Sequence, residues 1–220
     1  MSKKKPVPVM PQCQLYLISP LDTGGAFPEQ LAAALAAGSV AAFQFRVKGL
    51  DQHAAAALAA PLQEICAEHA VSFIVNDDVG LAKRLGADGV HLGQGDGDPR
   101  DARAELGHEA QIGVTCHNSR DLAMSAGEAG ADYVAFGAFF PSPTKPVKYV
   151  AEPELLTWWQ NLFELPCVAI GGITVDNARP IVAAGADFIA VSSGVWAHPK
   201  GPAAAVGEFA ALLAETRFVG

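Results

Sequence analysis

The stretch AGADYVAF, residues 129–136, decides the fold because its plan recurs along the chain. Similar stretches are LGADGVHL at 85–92, AGADFIAV at 184–191 and, more loosely, AAGSVAAFQF at 36–45. In each copy a helix is predicted to end at a glycine, because glycine readily takes the left-handed conformation that closes a helix. These glycines are Gly38, Gly86, Gly130 and Gly185. A short turn and an apolar run follow the glycine, so each copy predicts a helix that leads directly into a strand.

The rest of the chain supplies further strands and the helices between them. Typical lengths of helices and strands leave room for one strand between successive copies. Apolar runs occupy residues 14–19, 72–76, 111–115 and 167–172. Alanine-rich amphipathic stretches lie between the runs, for example at residues 28–37, 52–69, 78–85, 119–129 and 174–184. Residues 118–119 and 174–176 carry polar side chains that suit the start of a helix.

Eight strands that alternate with helices predict an α/β fold, a single (β/α)8 TIM barrel with a closed eight-stranded parallel sheet. We expect the barrel to span residues 13–220 after a flexible arm at residues 1–12, with one long loop at about 139–153. The alternative is an open doubly wound sheet, but the GxGxxG turn expected after its first strand is absent. The sequence therefore favours the barrel.

Composition limits the classes of function. The chain has 220 residues, half of them apolar, and its net charge of −8 leaves no basic stripe for nucleic-acid phosphates. No apolar stretch reaches the length of a membrane span, and the first lysines are not followed by the apolar core of a signal peptide. Four cysteines without CxxC spacing indicate free thiols. We expect a cytoplasmic protein that binds small molecules, with no nucleic-acid or membrane partner; a homo-oligomer stays open.

Polar side chains follow the predicted second, third and fourth strands. They are Gln44, Arg46, Lys48, Asn76, Asp77 and Asp96. Parallel strands of a barrel all end on one side, where barrel enzymes place their active sites. Two carboxylates beside two cations suit a Mg2+ ion that bridges a polyanion, because Mg2+ prefers oxygen ligands while arginine and lysine bind phosphate. The alternative is a ring of salt bridges that closes the barrel end; the neighbouring amides favour the anion site.

The last two strands end in turns rich in glycine and serine. GGIT at 171–174 follows the seventh strand, and VSSG at 191–194 follows the eighth. Barrels commonly bind a phosphate with backbone amides at this place, although tight turns alone also favour glycine. SPTK at 142–145 offers hydroxyl groups and an ammonium group to either anion. Together these stretches predict a monophosphate site separate from the metal-assisted one.

Two histidines lie in or directly after predicted strands. His117 suits a general base, an orienting group or a packed core residue, and the sequence leaves these alternatives open. His91, inside the fourth strand, is interpreted as part of the packed structure.

In this order, the segments resemble the thiamine-phosphate synthase family, (β/α)8 enzymes that join the two halves of thiamine. The resemblance spans residues 14–214 and is carried by QxRxK, VND, GxHxGQxD, TK after the sixth strand, IGGI and VS. It implies Mg2+-dependent coupling of 4-amino-2-methyl-5-hydroxymethylpyrimidine diphosphate with a thiazole monophosphate, giving thiamine monophosphate and pyrophosphate. The chain departs from the family pattern at Gly95, Ala138, Ser142 and in the segment after Lys145.

The resemblance also implies roles for particular residues. Those expected to contact the pyrimidine diphosphate are Gln44, Arg46, Lys48, Asn76, Thr115 and Lys145. Of these, the residues expected to act in catalysis are Arg46, Lys48, Thr115 and Lys145. The expected contacts of the thiazole phosphate are Ser142, Thr144, Gly172, Val191 and Ser192. Asp77 and Asp96 are expected to bind Mg2+, the only cofactor implied.

Two other functions remain as alternatives. A thiazole tautomerase of related fold needs the phosphate site and a histidine such as His117, but not the cations and carboxylates at the ends of strands two to four. A non-catalytic barrel that binds a thiazole phosphate needs no turnover at all. The joint presence of Arg46, Lys48, Asp77 and Asp96 favours the transferase.

Overall fold

The structure, a computed structural model, describes residues 12–141 and 148–216 and is built around a closed barrel of eight parallel strands. The strands follow one another around the barrel in chain order, and β8 pairs with β1. Their bounds are β1 Gln14–Ile18, β2 Ala42–Phe45, β3 Ser72–Asn76, β4 Gly89–Leu92, β5 Gln111–His117, β6 Tyr133–Gly137, β7 Cys167–Ile170 and β8 Phe188–Val191. The predicted (β/α)8 barrel is confirmed and the open sheet is excluded. Residues 1–11 of the predicted arm lie outside the described residues.

Helices connect the strands and cover the outside of the barrel. In the described residues they are α1 Phe27–Ala37, α2 Gln52–Glu68, α3 Val79–Leu85, α4 Pro99–Leu106, α5 Arg120–Glu128, α6 Pro153–Leu162, α7 Ala178–Ala183, α8 Ser193–Trp196 and α9 Pro202–Glu215. No helix within residues 12–141 and 148–216 is long and apolar enough to cross a membrane. The four cysteines are buried free thiols, as predicted.

The glycines at the helix ends follow the prediction in three copies and depart from it in one. Gly86, Gly130 and Gly185 have positive φ angles of 58°, 88° and 103°. Gly38 instead has an extended backbone, with φ −179° and ψ 173°, so the left-handed conformation predicted there is wrong. A Cβ at Gly38 would lie 3.2 Å from side-chain atoms of Val206 and Ala210 in α9. This glycine therefore allows α1 and α9 to pack closely.

The predicted helix starts are right at one site and wrong at another. Ser119 begins α5, and its hydroxyl accepts the Leu122 amide at 3.2 Å. The helix predicted at 174–184 begins only at Ala178. Asn177 Oδ1 accepts the Thr174 amide at 2.8 Å, which holds residues 174–177 in a turn before the helix. The loop that follows β7 is therefore longer than predicted.

The aspartates of the repeated stretch explain why the repeat marks strand pairs. Each lies just before an even-numbered strand, and its carboxylate accepts the backbone amide at the start of the strand before it. The pairs are Asp88 with Phe73 at 2.7 Å, Asp132 with Ile112 at 2.6 Å, and Asp187 with Cys167 at 2.8 Å. The copy at 36–45 has no aspartate at this place. These bonds fix the end of the barrel opposite the strands' carboxyl ends.

Two apolar clusters hold the fold together. The larger lies between the barrel wall and the helices. The smaller fills the barrel itself and contains Tyr16, Ile74, Tyr133 and Val168. Burial of these apolar groups supplies the main stabilising free energy. A polar side chain buried among these apolar groups needs a hydrogen-bond partner.

Candidate active site

The predicted polar residues of strands β2 to β5 lie at one end of the barrel. Parallel pairing places the carboxyl ends of all the strands on the same side, and we call this edge the carboxyl rim. Gln44 is the third of the four residues of β2, Asn76 is the last residue of β3, and Thr115 lies in the second half of β5. Lys48 and Asp96 lie in the loops that follow β2 and β4. The rim therefore brings together residues that are far apart in sequence.

Lys48, Asp77 and Asp96 form a charged cluster on the rim. Lys48 Nζ donates to Asp77 Oδ2 in an ion pair. Partial desolvation and the adjoining Asp77 carboxylate raise the pKa of Asp96, while the Gly93 amide and Lys48 oppose the rise. Asp77 has a positive φ of 66°, unusual for a residue other than glycine. Strain of this kind tends to be kept where a side chain must be aimed at a ligand.

The donor set of this cluster fits Mg2+. Two adjoining carboxylates repel each other when both are ionised, and a shared cation relieves this repulsion. Mg2+ commonly takes one or two protein carboxylates and completes its shell with water and substrate phosphate. No group of three or more His, Cys, Asp or Glu side chains able to hold a metal occurs within residues 12–141 and 148–216. Asp77 and Asp96 thus suit a shared metal–phosphate site, and do not form a closed structural one.

Ser19, which the sequence analysis did not single out, connects three strands at the rim. Its hydroxyl accepts the Arg46 amide at 2.8 Å and donates to the Arg46 carbonyl at 3.2 Å. The Ser192 hydroxyl donates to the Ser19 carbonyl at 3.4 Å. Ser19 is buried, so these bonds are shielded from water. The backbone of Arg46, from the predicted diphosphate site, is thereby tied to Ser192, from the predicted monophosphate site.

The turns after β7 and β8 are closely packed. Gly172 has a φ of 63°, and a Cβ there would lie 2.3 Å from the Pro141 carbonyl oxygen. A Cβ on Gly194 would lie 2.3 Å from the Ile173 carbonyl oxygen. Close backbone packing thus explains both glycines. The Val191 side chain is buried in the outer core, so this residue has only its backbone to offer to a ligand. Ser192 directly precedes α8.

Polar side chains also cross the interior of the barrel. Gln44 Nε2 donates to the Tyr16 hydroxyl at 3.1 Å, and the Tyr16 and Tyr133 hydroxyls are 3.0 Å apart. His91 Nδ1 lies 3.1 Å from the Tyr133 hydroxyl, and His91 Nε2 lies 2.8 Å from Thr115 Oγ1. Burial lowers the pKa of His91 to about 4, so the ring is neutral near pH 7. The interpretation of His91 as packed structure is confirmed.

His117 occupies an unusual position at the end of β5. Its φ is 54°, after a break in the β5–β6 register between Thr115 and His117. Its ring stacks on Tyr149 with centroids 4.3 Å apart. Both residues adjoin the loop after β6, where the Asn118 side chain donates to the Val150 carbonyl at 2.9 Å. His117 is therefore a half-buried residue at the carboxyl rim, which argues against a place in the packed core, and the general-base and orienting roles stay predictions.

The predicted residues Ser142, Thr144 and Lys145 lie outside the described residues. The loop on either side of them is held to the barrel. The Ala138 amide donates to the Tyr149 carbonyl at 3.0 Å, and the Phe140 amide donates to the Gly171 carbonyl at 3.0 Å. The predicted roles of these three residues stay predictions.

Sequence reasoning missed Ser19, Tyr16 and Tyr133. Each has a hydroxyl group in or next to a strand that is otherwise apolar, and that contrast is the available signal. The signal is weak because tyrosine and serine are ordinary residues at the edges of strands. Only the pairing around the closed barrel shows that the two tyrosines meet in the interior.

Comparisons with known proteins identify the family to which the chain belongs. The thiamine monophosphate synthase family model matches residues 15–195. A thiamine-phosphate synthase of Erythrobacter litoralis is 65% identical over 205 residues, covering 91% of this chain and 95% of the relative. One from Rhodospirillum centenum is 56% identical, covering 91% and 97%. The solved structure of thiamine phosphate pyrophosphorylase from Pyrococcus furiosus superposes with a TM-score of 0.82 at 31% identity, covering 92% of this chain and 96% of that one. The expected enzyme class, a transferase of the thiamine-phosphate synthase type, is thereby confirmed, and the chain belongs to the thiamine monophosphate synthase family.

Proposed function

We propose that the chain couples 4-amino-2-methyl-5-hydroxymethylpyrimidine diphosphate to a thiazole monophosphate, forming thiamine monophosphate and pyrophosphate with the help of Mg2+. The observation that carries this proposal is the cluster of Lys48, Asp77 and Asp96 on the carboxyl rim. Two carboxylates beside a lysine suit a substrate that brings both a metal ion and a polyanion. Family membership narrows that substrate to a precursor of thiamine.

On the diphosphate side, the protein groups stabilise the leaving group. Arg46 and Lys48 lie at the end of β2 and in the following loop, and offer a planar fork and a compact ammonium group to the phosphate oxygens. Asn76 adds an amide at the end of β3, and Lys145 is a further cation. Mg2+ bound by Asp77 and Asp96 supplies additional positive charge against the diphosphate. Groups held in place before the reaction stabilise the negative charge that grows on departing pyrophosphate.

The reacting carbon needs little from the protein. When the bond to pyrophosphate breaks, the electron-rich aminopyrimidine stabilises the positive charge left on its methylene carbon. The thiazole nitrogen then donates its electron pair to that carbon, which completes the transfer. Gln44 and Thr115 hold the pyrimidine, while backbone amides near Gly172, Val191 and Ser192 hold the thiazole phosphate. Ser142 and Thr144 add hydroxyl groups on the thiazole side. Positioning therefore supplies much of the rate acceleration.

The decisive assay combines both substrates with purified protein, and follows thiamine phosphate and pyrophosphate together, with Mg2+ or with a chelator. We expect equal amounts of both products, formed only with Mg2+. Conversion of the thiazole phosphate without the pyrimidine substrate would establish the tautomerase instead. Binding without any conversion would establish the non-catalytic barrel.

The metal assignment is tested with Asp77→Asn and Asp96→Asn. Each substitution keeps the side-chain size and removes the charge that attracts Mg2+. We expect kcat to fall by about 100-fold or more, the scale found when a preorganised charge-stabilising group is lost. Glu109→Gln, an exposed change before β5 at the opposite end of the barrel, serves as the matched control. Two aspartate variants as active as the control would show that the cluster is only an ion pair.

A further inference from the structure

The strongest unassigned feature is the row of polar side chains inside the barrel, which we call the interior chain. It consists of Gln44, Tyr16, Tyr133, His91 and Thr115, in that order of contact. These residues come from β2, β1, β6, β4 and β5, so the row crosses the barrel. Gln44 is 4% exposed, Tyr16 3%, His91 6% and Tyr133 7%. Its two ends are the residues placed against the pyrimidine, and its three middle members have no assigned role.

The interior chain has a direction. Each tyrosine hydroxyl carries one hydrogen, and a neutral histidine donates from one ring nitrogen and accepts at the other. If Gln44 Nε2 donates to Tyr16, then Tyr16 donates to Tyr133, and Tyr133 donates to His91 Nδ1. His91 Nε2–H then donates to Thr115 Oγ1. The hydroxyl hydrogen of Thr115 is left to donate to a ligand.

The opposite direction is also complete. With the Gln44 amide turned over, its Oε1 accepts from Tyr16, and each hydrogen bond along the row reverses. His91 then carries its hydrogen on Nδ1, and Thr115 donates inward and offers only lone pairs to a ligand. If one part of the row ran in one direction and the rest in the other, two neighbouring groups at the junction would either both point a hydrogen at each other or have none between them. Both arrangements are unfavourable in the buried, low-dielectric interior. The row therefore switches as a unit.

We propose that Tyr16, Tyr133 and His91 are positioning residues that couple Gln44 to Thr115, so that the two ends of the interior chain meet the ligand in matched donor and acceptor roles. This inference rests on the proposed function, which puts Gln44 and Thr115 against the pyrimidine. With Gln44 Nε2 as the donor to Tyr16, Gln44 has its Oε1 atom to offer as an acceptor while Thr115 offers a donor. An aminopyrimidine presents both complementary kinds of group, an amino donor and ring-nitrogen acceptors. An oxo-pyrimidine presents the reverse pattern and requires the whole row to switch.

A tautomer measurement tests the coupling without any turnover. In protein labelled with 15N-histidine, we expect the His91 ring to carry its hydrogen on Nε2. Gln44→Leu removes the fixed end, and we expect the hydrogen at His91 to redistribute toward Nδ1 although the two residues share no contact. A wild-type ring protonated at Nδ1, or a ring unaffected by Gln44→Leu, would overturn the proposal.

Kinetics test the consequence for substrate binding. Gln44→Leu and Thr115→Val each raise KM for the pyrimidine diphosphate, and we expect the double variant to differ from the product of the single effects by about five-fold or more. In a Tyr133→Phe background, which removes one hydroxyl and keeps the ring, we expect the two effects to multiply within about two-fold. Tyr16→Phe repeats this test at a second link. Tyr149→Phe, outside the interior chain, is the matched control and should leave the coupling intact.

The two proposals fail in different ways. If the tautomer responds to Gln44 but no thiamine phosphate forms, the proposed function is wrong and the coupling stands. If thiamine phosphate forms but the effects multiply in every background and the tautomer does not respond, the function stands and the coupling is wrong. A tyrosine variant that retains the selectivity of wild type for an amino- over an oxo-pyrimidine also counts against the coupling.

Discussion

Ser19 shows how one buried hydroxyl organises the rim. Because it both accepts from and donates to the Arg46 backbone, it fixes the point at which the Arg46 side chain leaves β2. Its carbonyl receives the Ser192 hydroxyl from the far side of the β1–β8 seam. A guanidinium is useful in catalysis only if it is aimed before the substrate arrives, since aiming it afterwards costs conformational entropy.

We therefore expect Ser19→Ala to raise KM for the pyrimidine diphosphate by about ten-fold, the scale of one lost buried hydrogen bond. Ser19→Thr keeps the hydroxyl and should recover most of the loss. Steady-state kinetics with each substrate varied in turn measures the effect. Ser125→Ala, an exposed serine in α5, is the control. Equal kinetics for Ser19→Ala and this control would remove Ser19 from the site.

At the residue scale, sequence patterns locate clusters of charged side chains better than clusters of buried neutral ones. The clustering of Lys48, Asp77 and Asp96 was predictable because each lies in a loop after an apolar strand, and the parallel strands of a barrel all end at one edge. Tyr16 and Tyr133 were not, because a hydroxyl on a strand is informative only when its partner across the barrel is known. The same holds for Ser19, whose value depends on two strands that the sequence does not place next to it.

At the scale of elements, one tight fit sets the interior of the barrel. Gly113 of β5 pairs in register with Tyr133 of β6. A Cβ on Gly113 would lie 2.0 Å from Cζ of the Tyr133 ring. The glycine thus makes the space that the tyrosine fills, and the two residues are a matched pair.

Gly113→Ala should lower the free energy of unfolding by about 3 kcal/mol, at the upper end of overpacking costs. In a Tyr133→Leu background, Gly113→Ala should lower the free energy of unfolding by less, because the smaller leucine leaves room for the added methyl group. Denaturant unfolding of the two single variants and the double variant completes the cycle. Gly207→Ala in α9, where a Cβ meets nothing within 4 Å, should be neutral or stabilising. If the losses of unfolding free energy in the two single variants add up to the loss in the double variant, the added methyl group does not clash with the Tyr133 ring.

The repeated stretch predicted the elements well and their ends less well. Strand number and order follow from the alternation of apolar runs and helices, and the aspartates Asp88, Asp132 and Asp187 show why the repeat recurs every second strand. The predictions for Gly38 and for the start of α7 were wrong because both features depend on contacts made in the folded structure. The first depends on α9, which packs against α1 from the other end of the chain. The second depends on a turn stabilised by Asn177.

At the scale of the whole molecule, the neutral His91 makes stability depend on pH. Its pKa is lowered from 6.5 to about 4 by burial, so the unfolded chain binds a proton there before the folded one does. Stability from this group is complete above the unfolded pKa and is lost as pH falls through the interval between the two values. We expect unfolding to become easier by about 1 kcal/mol between roughly pH 7.5 and pH 5.5. Below pH 4 the loss from His91 stops growing.

Denaturant unfolding across this range measures the slope. His91→Gln should flatten it while lowering stability at neutral pH, and His108→Gln, on the exposed loop before β5, should leave the slope unchanged. A slope identical in wild type and His91→Gln would assign the pH dependence to other groups. Cytoplasmic location and homo-oligomer formation stay predictions at this scale.

The seam between β1 and β8 also has a consequence for the order in which the protein can be made. Leu17 lies opposite Val191 in that seam, so the first strand keeps one open edge until nearly the whole chain has left the ribosome. An open strand edge is a site for pairing with other chains. The Ser192–Ser19 bond can form only when the seam closes, and it reaches the backbone of Arg46. A nascent chain that stops short of β8 can therefore form the Ser19–Arg46 bonds, but it lacks Ser192 and leaves one edge of β1 unpaired, so the carboxyl rim is completed only when the seam closes.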